Sequence, residues 1–257
     1  MSTHQPTKEY RLYPAFCFQA SPTFNDWVKI TAADVQQLRK EPEFMIPHTY
    51  FYLNHPIRYI YLVGVVVAID DINLRYTTLT IDDGSGATLE VKIKRLVPEL
   101  YNPVNSPSNT EVDNLNVLSR LGQFDVTVDD HIVDIGTIIK VKGMISEFRG
   151  FKQLELKRIW IVTTTNEEIK FWEALATFKK DVMGKKWHLS KSEGEKIKRE
   201  RKMEHRKARE YERQKAIHEA KKMEQKKARA EYLAQKEAKY QARRRKEEII
   251  MNAGALI

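Results

Sequence analysis

The residues of this chain with the clearest chemical potential are aromatic and basic, and they cluster. The stretch "EFRGFK", residues 147–152, sets Phe148, Arg149 and Phe151 around a Gly-containing turn. Two rings and a guanidinium emerging from one hairpin tip can stack on unpaired bases and bond the phosphates between them. Upstream, "TLEVKIKR" (88–95) and "GTIIKVKGM" (136–144) place Lys92, Lys94, Lys140 and Lys142 at alternate positions, with Tyr76 on a neighbouring segment. Alternation along a strand sends each such pair to one face of a sheet. Tyr76, Lys92, Lys94, Lys140, Lys142, Phe148, Arg149 and Phe151 are therefore the candidate nucleic-acid-binding residues.

Catalytic chemistry lacks its usual parts. The seven histidines include no His-x-x-x-His pair, and the single cysteine, Cys17, cannot supply a zinc cluster. "DDGSGA" (82–87) has glycines but no Lys-Ser/Thr to hold phosphate and magnesium, and reads as a hairpin turn. The acidic pairs Asp70–Asp71, Asp82–Asp83 and Asp129–Asp130 fall at strand ends and loops, where turn formation accounts for them. The chain is expected to bind rather than catalyse, with no cofactor and no metal.

The net charge of +9 over 257 residues is unevenly placed. Residues 185–248 hold 24 Lys+Arg against 12 Asp+Glu, leaving 20 basic and 23 acidic residues elsewhere. The folded part is thus slightly acidic, and its nucleic-acid binding must come from local patches rather than overall charge. The most apolar passage, "YFYLNHPIRYIYLVGVVVAID" (50–70), has an uncharged run of 11 residues from Tyr59 to Ile69. A spanning helix needs roughly 20, and the β-branched and aromatic content suits a buried strand. The N-terminal "MSTHQPTKEYRLYP" has no apolar run of the signal-peptide kind. One cysteine fits a reducing compartment. A soluble intracellular protein, cytosolic or nuclear, is expected.

Five strands position the candidate residues. They are expected at about 57–70, curving around Gly64, then at 74–83, 88–95, 136–148 and 151–162. A connection over 96–134, with three prolines and room for a short helix, separates the third from the fourth. Five strands with that long connection are the pattern of the OB-fold, a Greek-key barrel. "TNEEIKFWEALATFKKDV" (165–182) reads as an amphipathic helix with Ile169, Trp172, Leu175, Ala176 and Phe178 on one stripe. That stripe could plug the barrel or meet a partner. In the N-terminal part, Thr31 caps a short helix that Pro42 ends. The expected domains are an N-terminal extension (1–43), an OB-fold domain with its C-terminal helix (44–184) and a charged helical tail (185–257).

In order, "FYLNHPIRYIYLVGVVVAIDD", "TLTIDDGSG", "VKGMISEFRGFKQLELKRIWIV" and "TNEEIKFWEALATF" resemble the Stn subunit of the CST telomere-capping complex. That family is similar in turn to the middle subunit of replication protein A, and the resemblance covers residues 44–183. It implies an OB-fold that pairs with a small OB-fold partner, the Ten subunit, through the helix after the barrel. At matching positions the interface would be Ile169, Trp172, Leu175 and Phe178. It also implies single-stranded, G-rich telomeric DNA as ligand, contacted around Lys92, Lys94, Phe148 and Arg149. Further implied partners are the large single-stranded-DNA-binding subunit and polymerase α–primase, in the nucleus at telomeres. The complex would protect chromosome ends and assist complementary-strand fill-in. Many family members continue into winged-helix domains, for which residues 185–257 offer neither strands nor core.

That tail lacks proline from Lys191 to Glu248 and repeats Glu–Lys/Arg pairs at helical spacing, Glu195–Arg199 and Glu224–Lys227 among them. No heptad seam is continuous. A single solvated helix of about 50 residues, roughly 75 Å long, is expected, serving as spacer or as a non-specific polyanion contact. Two other readings of the whole stay open. One is an interaction scaffold with little DNA contact, and the other is an RNA-binding OB protein.

Overall fold

The apolar passage from Tyr59 onward becomes one long strand, and the barrel is built around it. In the computed structural model the described residues are 10–44, 46–73, 75–96, 107–120 and 123–254. A 3-10 turn (Ala15–Ala20) leads to β1 (Trp27–Lys29), α1 (Ala32–Gln37) and a small hairpin of β2 (Tyr50–Tyr52) and β3 (His55–Ile57). Then come β4 (Tyr59–Asn73), β5 (Tyr76–Asp82), β6 (Thr88–Lys94), β7 (Leu115–Arg120), β8 (Gln123–Val128) and β9 (His131–Val133). The strands β10 (Ile138–Phe148) and β11 (Phe151–Ile161) precede α2 (Thr165–Phe178), which runs into a π-helical turn, Lys179–Met183. The last element is α3 (Lys191–Gly254). Contacts divide the chain into two units, Met1–Ser190 and Lys191–Ile257.

Five strands close a ring: β4 pairs with β5 and β10, β5 with β6, β6 with β11, and β11 with β10. Only β6–β11 is parallel, and the result is an OB-fold. Period-two alternation fills it. Ile60, Leu62, Leu79, Ile81, Leu89, Val91, Ile139 and Val141 point inward with no exposed surface. Each such burial stabilises by about 1.5–3 kcal/mol. Gly64 allows the sharp approach of β4 to β5, since a Cβ there would lie 2.5 Å from both the Asp82 carbonyl oxygen and Ile81 Cγ2.

Two parts of the first unit differ from expectation. The connection expected as a loop with a short helix carries an antiparallel sheet of β7, β8 and β9. Its alternating Leu115, Val117, Val126 and Val128 join the barrel core, and Asp129 and Asp130 turn the β8–β9 hairpin at positive φ. Residues 97–106 of that connection lie outside the described residues, as do 1–9 of the N-terminal extension. The second difference is β1, which adds to the barrel as a parallel neighbour of β4.

The N-terminal segment is held by more than that strand. Thr31 caps α1, its hydroxyl accepting from the Asp34 N–H at 3.1 Å. The "DDGSG" turn caps it as well, through Asp83 and Ser85. A satellite cluster of Cys17, Phe18, Phe51 and Trp187 packs this segment against the residues after α2. Asn54 fastens the same place, accepting from the Trp187 N–H at 2.8 Å and donating to its carbonyl at 2.7 Å. In the second unit α3 runs as one helix of 64 residues, longer than expected, and Arg199 pairs with Glu195 at 3.6 Å.

Candidate nucleic-acid interface

At the tip of the β10–β11 hairpin, Phe148 and Phe151 sit directly opposite each other across the last ladder pair. Arg149 and Gly150 complete the turn with φ of 51° and 86°, the backbone of a two-residue primed hairpin. Holding a non-glycine residue at positive φ costs about 1 kcal/mol. The gain is projection: Phe148 is 55% and Phe151 73% exposed, and the Arg149 guanidinium lies 5.1 Å from the Phe148 ring centre.

Phe148 forms one wall of a groove of about 680 Å³, with Lys40, Tyr50, Lys92, Ser146 and Glu155 among its lining. Lys92 Nζ stands 4.0 Å over the Tyr76 ring, a cation–π contact that holds the ammonium of this groove-lining residue. Lys94 donates to Glu155 at 2.9 Å; that hydrogen bond, opposed by burial, raises the Lys94 pKa above its ordinary value. Burial pushes the Glu155 carboxyl up, but the Lys94 hydrogen bond and charge, helped by His48 and Lys92, outweigh it and leave it low. Lys40 pairs with Glu147 at 2.7 Å and also overlies Tyr50. Ser146 Oγ is buried without a hydrogen-bond partner. The groove thus joins flat rings, cations and neutralising carboxylates on an OB-fold.

Beside the barrel, α2 begins at Thr164, whose hydroxyl accepts from the Glu167 N–H, with Glu167 and Glu168 in its first turn favouring the helix dipole. Phe171 plugs down onto Tyr61, their ring centres 4.7 Å apart, and Leu175 packs on the same small cluster with Val63 and Val162. Phe178 rests against the main core and 5.8 Å from Lys29 Nζ. Ile169 and Trp172 face outward, 53% and 48% exposed. Trp172 and Leu175 border a groove of about 620 Å³ between α2 and the Gly84–Ser85 turn.

Residues 34–98 match the family model described as "Telomere regulation protein Stn1". Over this segment the chain is similar to the Stn1 family. The CST complex subunit STN1 of Mus musculus is 25% identical over 161 residues, 60% of this chain and 40% of that protein. The Bos taurus protein of the same name is 26% identical over 145 residues, 55% of this chain and 37% of its own length. The chain therefore spans about 40% of the length of these Stn1 relatives. A crystal structure of yeast Stn1 and Ten1 aligns with a TM-score of 0.52 at 16% identity, covering 74% of this chain and 91% of that one. At that identity the Stn1 likeness is one of fold.

On this OB-fold barrel the sequence-predicted nucleic-acid residues divide between two surfaces. Tyr76, Lys92, Phe148, Arg149 and Phe151 gather at the hairpin and groove, with Lys94 alongside but tied to Glu155. Lys140 and Lys142 lie elsewhere, against Trp160, Tyr61 and Trp27. The single stripe expected on α2 is two faces. Positions 171, 175 and 178 pack inward, whereas Ile169 and Trp172 face out, because a turn of 3.6 residues separates them by more than one face can hold. Sequence reasoning missed Lys40, at the end of the expected short helix, and Tyr50, ahead of the first expected strand. It also missed Phe171 as the plug, although its spacing of four from Leu175 was available.

Proposed function

We propose that this chain is a telomere-capping subunit of the CST type that binds single-stranded G-rich DNA and pairs with a small OB-fold Ten-type partner. The observation that carries the DNA reading is the hairpin tip. Phe148, Arg149 and Phe151 project from a strained turn, and Phe148 lines a groove together with Lys92, whose ammonium lies over the Tyr76 ring. Bases would stack on the two rings, and Lys92 and Arg149 would take the phosphates between them.

The partner reading rests on the outward face of α2. Trp172 and Ile169 are large and exposed, and Trp172 borders a groove, the anatomy of an interface anchor. Leu175 and Phe178 would support that face from beneath rather than touch the partner. Through such a pair the chain would join a large single-stranded-DNA-binding subunit, act at chromosome ends in the nucleus and assist fill-in by polymerase α–primase. No part of this needs catalysis by the chain.

A specific observation favours a second reading, an assembly scaffold with little DNA contact. Glu147 and Glu155 neutralise Lys40 and Lys94 within the groove. Fluorescence anisotropy of a labelled G-rich single strand separates the two. Phe148→Ala/Phe151→Ala weakens binding by the chain with its partner in the DNA reading, and leaves it unchanged in the scaffold reading. Stronger binding to the ribose form of the same strand would instead support an RNA ligand.

A further inference from the structure

The outer surface of β1, β4, β10 and β11 carries a second assembly of rings and cations, none of whose residues lines the hairpin groove. Strand register puts Lys29, Tyr61, Lys142 and Arg158 side by side across four strands. Next to that row, Trp27 lies opposite Tyr59 on one side and Lys140 opposite Trp160 on the other. Lys142 Nζ is 4.7 Å from the Tyr61 ring centre and 5.7 Å from those of Trp27 and Trp160, and Lys140 Nζ is 5.4 Å from that of Trp160. Arg158 is exposed and the others are half-exposed.

The charge on this face is unbalanced. Elsewhere in the first unit lysines meet carboxylates, as in Lys94–Glu155, Lys40–Glu147 and Lys179–Asp34. Among the described residues Lys29, Lys140, Lys142 and Arg158 form no ion pair. Asp26 acts on Lys142 and Glu167 on Tyr61, each as a lesser influence than burial. Burial, then the charges of Arg158, Lys140 and Lys29, push the Lys142 ammonium below its ordinary pKa. Four cations held together against their own repulsion gain from an anionic ligand. The rings between them specify its shape. An acidic peptide carries a flat ring only where an aromatic residue happens to stand, whereas a single-stranded nucleic acid pairs a phosphate with a flat base at every nucleotide.

We propose that this sheet face is a second contact for single-stranded nucleic acid, with bases on Trp27 and Trp160 and phosphates at Lys140, Lys142 and Arg158. The proposal rests on the DNA-binding reading for its ligand class but uses a separate surface, so the two can fail separately. A strand held by both surfaces would be bound over a longer span than the hairpin groove alone reaches.

The test is photo-crosslinking of the full chain to an oligothymidylate carrying 5-bromodeoxyuridine, with the crosslinked peptides mapped by mass spectrometry. Three proteins are compared: the unaltered chain, Lys140→Glu/Lys142→Glu and Phe148→Ala/Phe151→Ala. Peptides containing Trp27 or Trp160 are expected to crosslink in the first and third. Their yield falls about tenfold in the second, and the salt slope of binding drops by about 1.4 for two lost phosphate contacts. If the reversed charges unfold the chain, Lys140→Gln/Lys142→Gln replaces them. Crosslinks confined to the hairpin peptides overturn this proposal and leave the groove reading standing. Crosslinks confined to α3 overturn both. Equal competition by polyglutamate of matched charge would show a surface that attracts any polyanion, and would also overturn it.

Discussion

Asp83 Oδ2 accepts a hydrogen bond from the backbone N–H of Ala32 at 2.8 Å, and Ser85 Oγ accepts from the next N–H, that of Ala33, at 3.0 Å. The β5–β6 turn therefore caps a helix distant in sequence, and α1 is tied onward by Lys179, which donates to Asp34 at 2.6 Å. Helix caps of this kind contribute about 1 kcal/mol. Asp83→Ala should lower stability by about that amount, a fall in Tm of roughly 2–4 °C for a unit of this size. Asp82→Ala, which removes a bond only within the turn, should cost less. Thermal unfolding followed by circular dichroism checks the difference.

His55 gives the fold a dependence on pH. Its Nε2 lies 2.6 Å from the Lys185 carbonyl oxygen, to which it donates, and its Nδ1 is buried without a partner. Burial pushes the imidazole below its ordinary pKa despite the help of that carbonyl. On acidification past about 6.5, the unfolded chain takes up a proton that the folded chain still refuses. Stability from this residue is therefore present above that pH and is lost as pH falls, at up to about 1.4 kcal/mol per unit. Urea midpoints at pH 7.5 and pH 5.5 should differ more for the unaltered chain than for His55→Gln.

Arg149 joins backbone strain to the single-strand contact proposed for the hairpin. Glycine adopts its positive φ freely, so Arg149→Gly should stabilise the hairpin by up to about 1 kcal/mol while weakening single-strand binding. Phe148→Ala should leave stability unchanged and cost about 1–3 kcal/mol of binding for the base it would stack. Paired denaturation and anisotropy measurements on the two variants test this opposition.

If the proposed partner meets α2, its two faces should separate stability from assembly. Phe171 is buried against Tyr61, so Phe171→Ala should destabilise the fold by about 3 kcal/mol or more. Trp172→Ala should change stability by no more than about 0.5 kcal/mol, yet cost at least about 2 kcal/mol in partner binding. Chemical denaturation of both variants gives the first comparison.

Much of the barrel was legible because its strands state their faces locally. Leu89, Val91 and Ile93 against Glu90, Lys92 and Lys94 can be read only one way, and Gly150 after Arg149 marks the hairpin. The sheet of β7–β9 was hidden because prolines and polar residues around it resemble a loop, although Leu115, Val117, Val126 and Val128 alternate as strands do. β1 was invisible because three residues carry no period, and its pairing to β4 is decided by tertiary contact. In the candidate site, the tip Phe148–Phe151 followed from adjacency. The division of the lysines did not, because Lys92 and Lys142 both alternate correctly and only barrel closure determines that they face different ways. The role of Asp83 was equally out of reach, since its partner is supplied by the fold.

Pairing through α2 is tested by co-expression of the full chain with a small OB-fold Ten-type partner, resolved by size-exclusion chromatography with light scattering. A 1:1 complex that forms with the unaltered chain and is lost in Ile169→Ala/Trp172→Ala, at unchanged thermal stability, is the predicted result. No complex with the unaltered chain, or one unaffected by the double variant, would contradict the account.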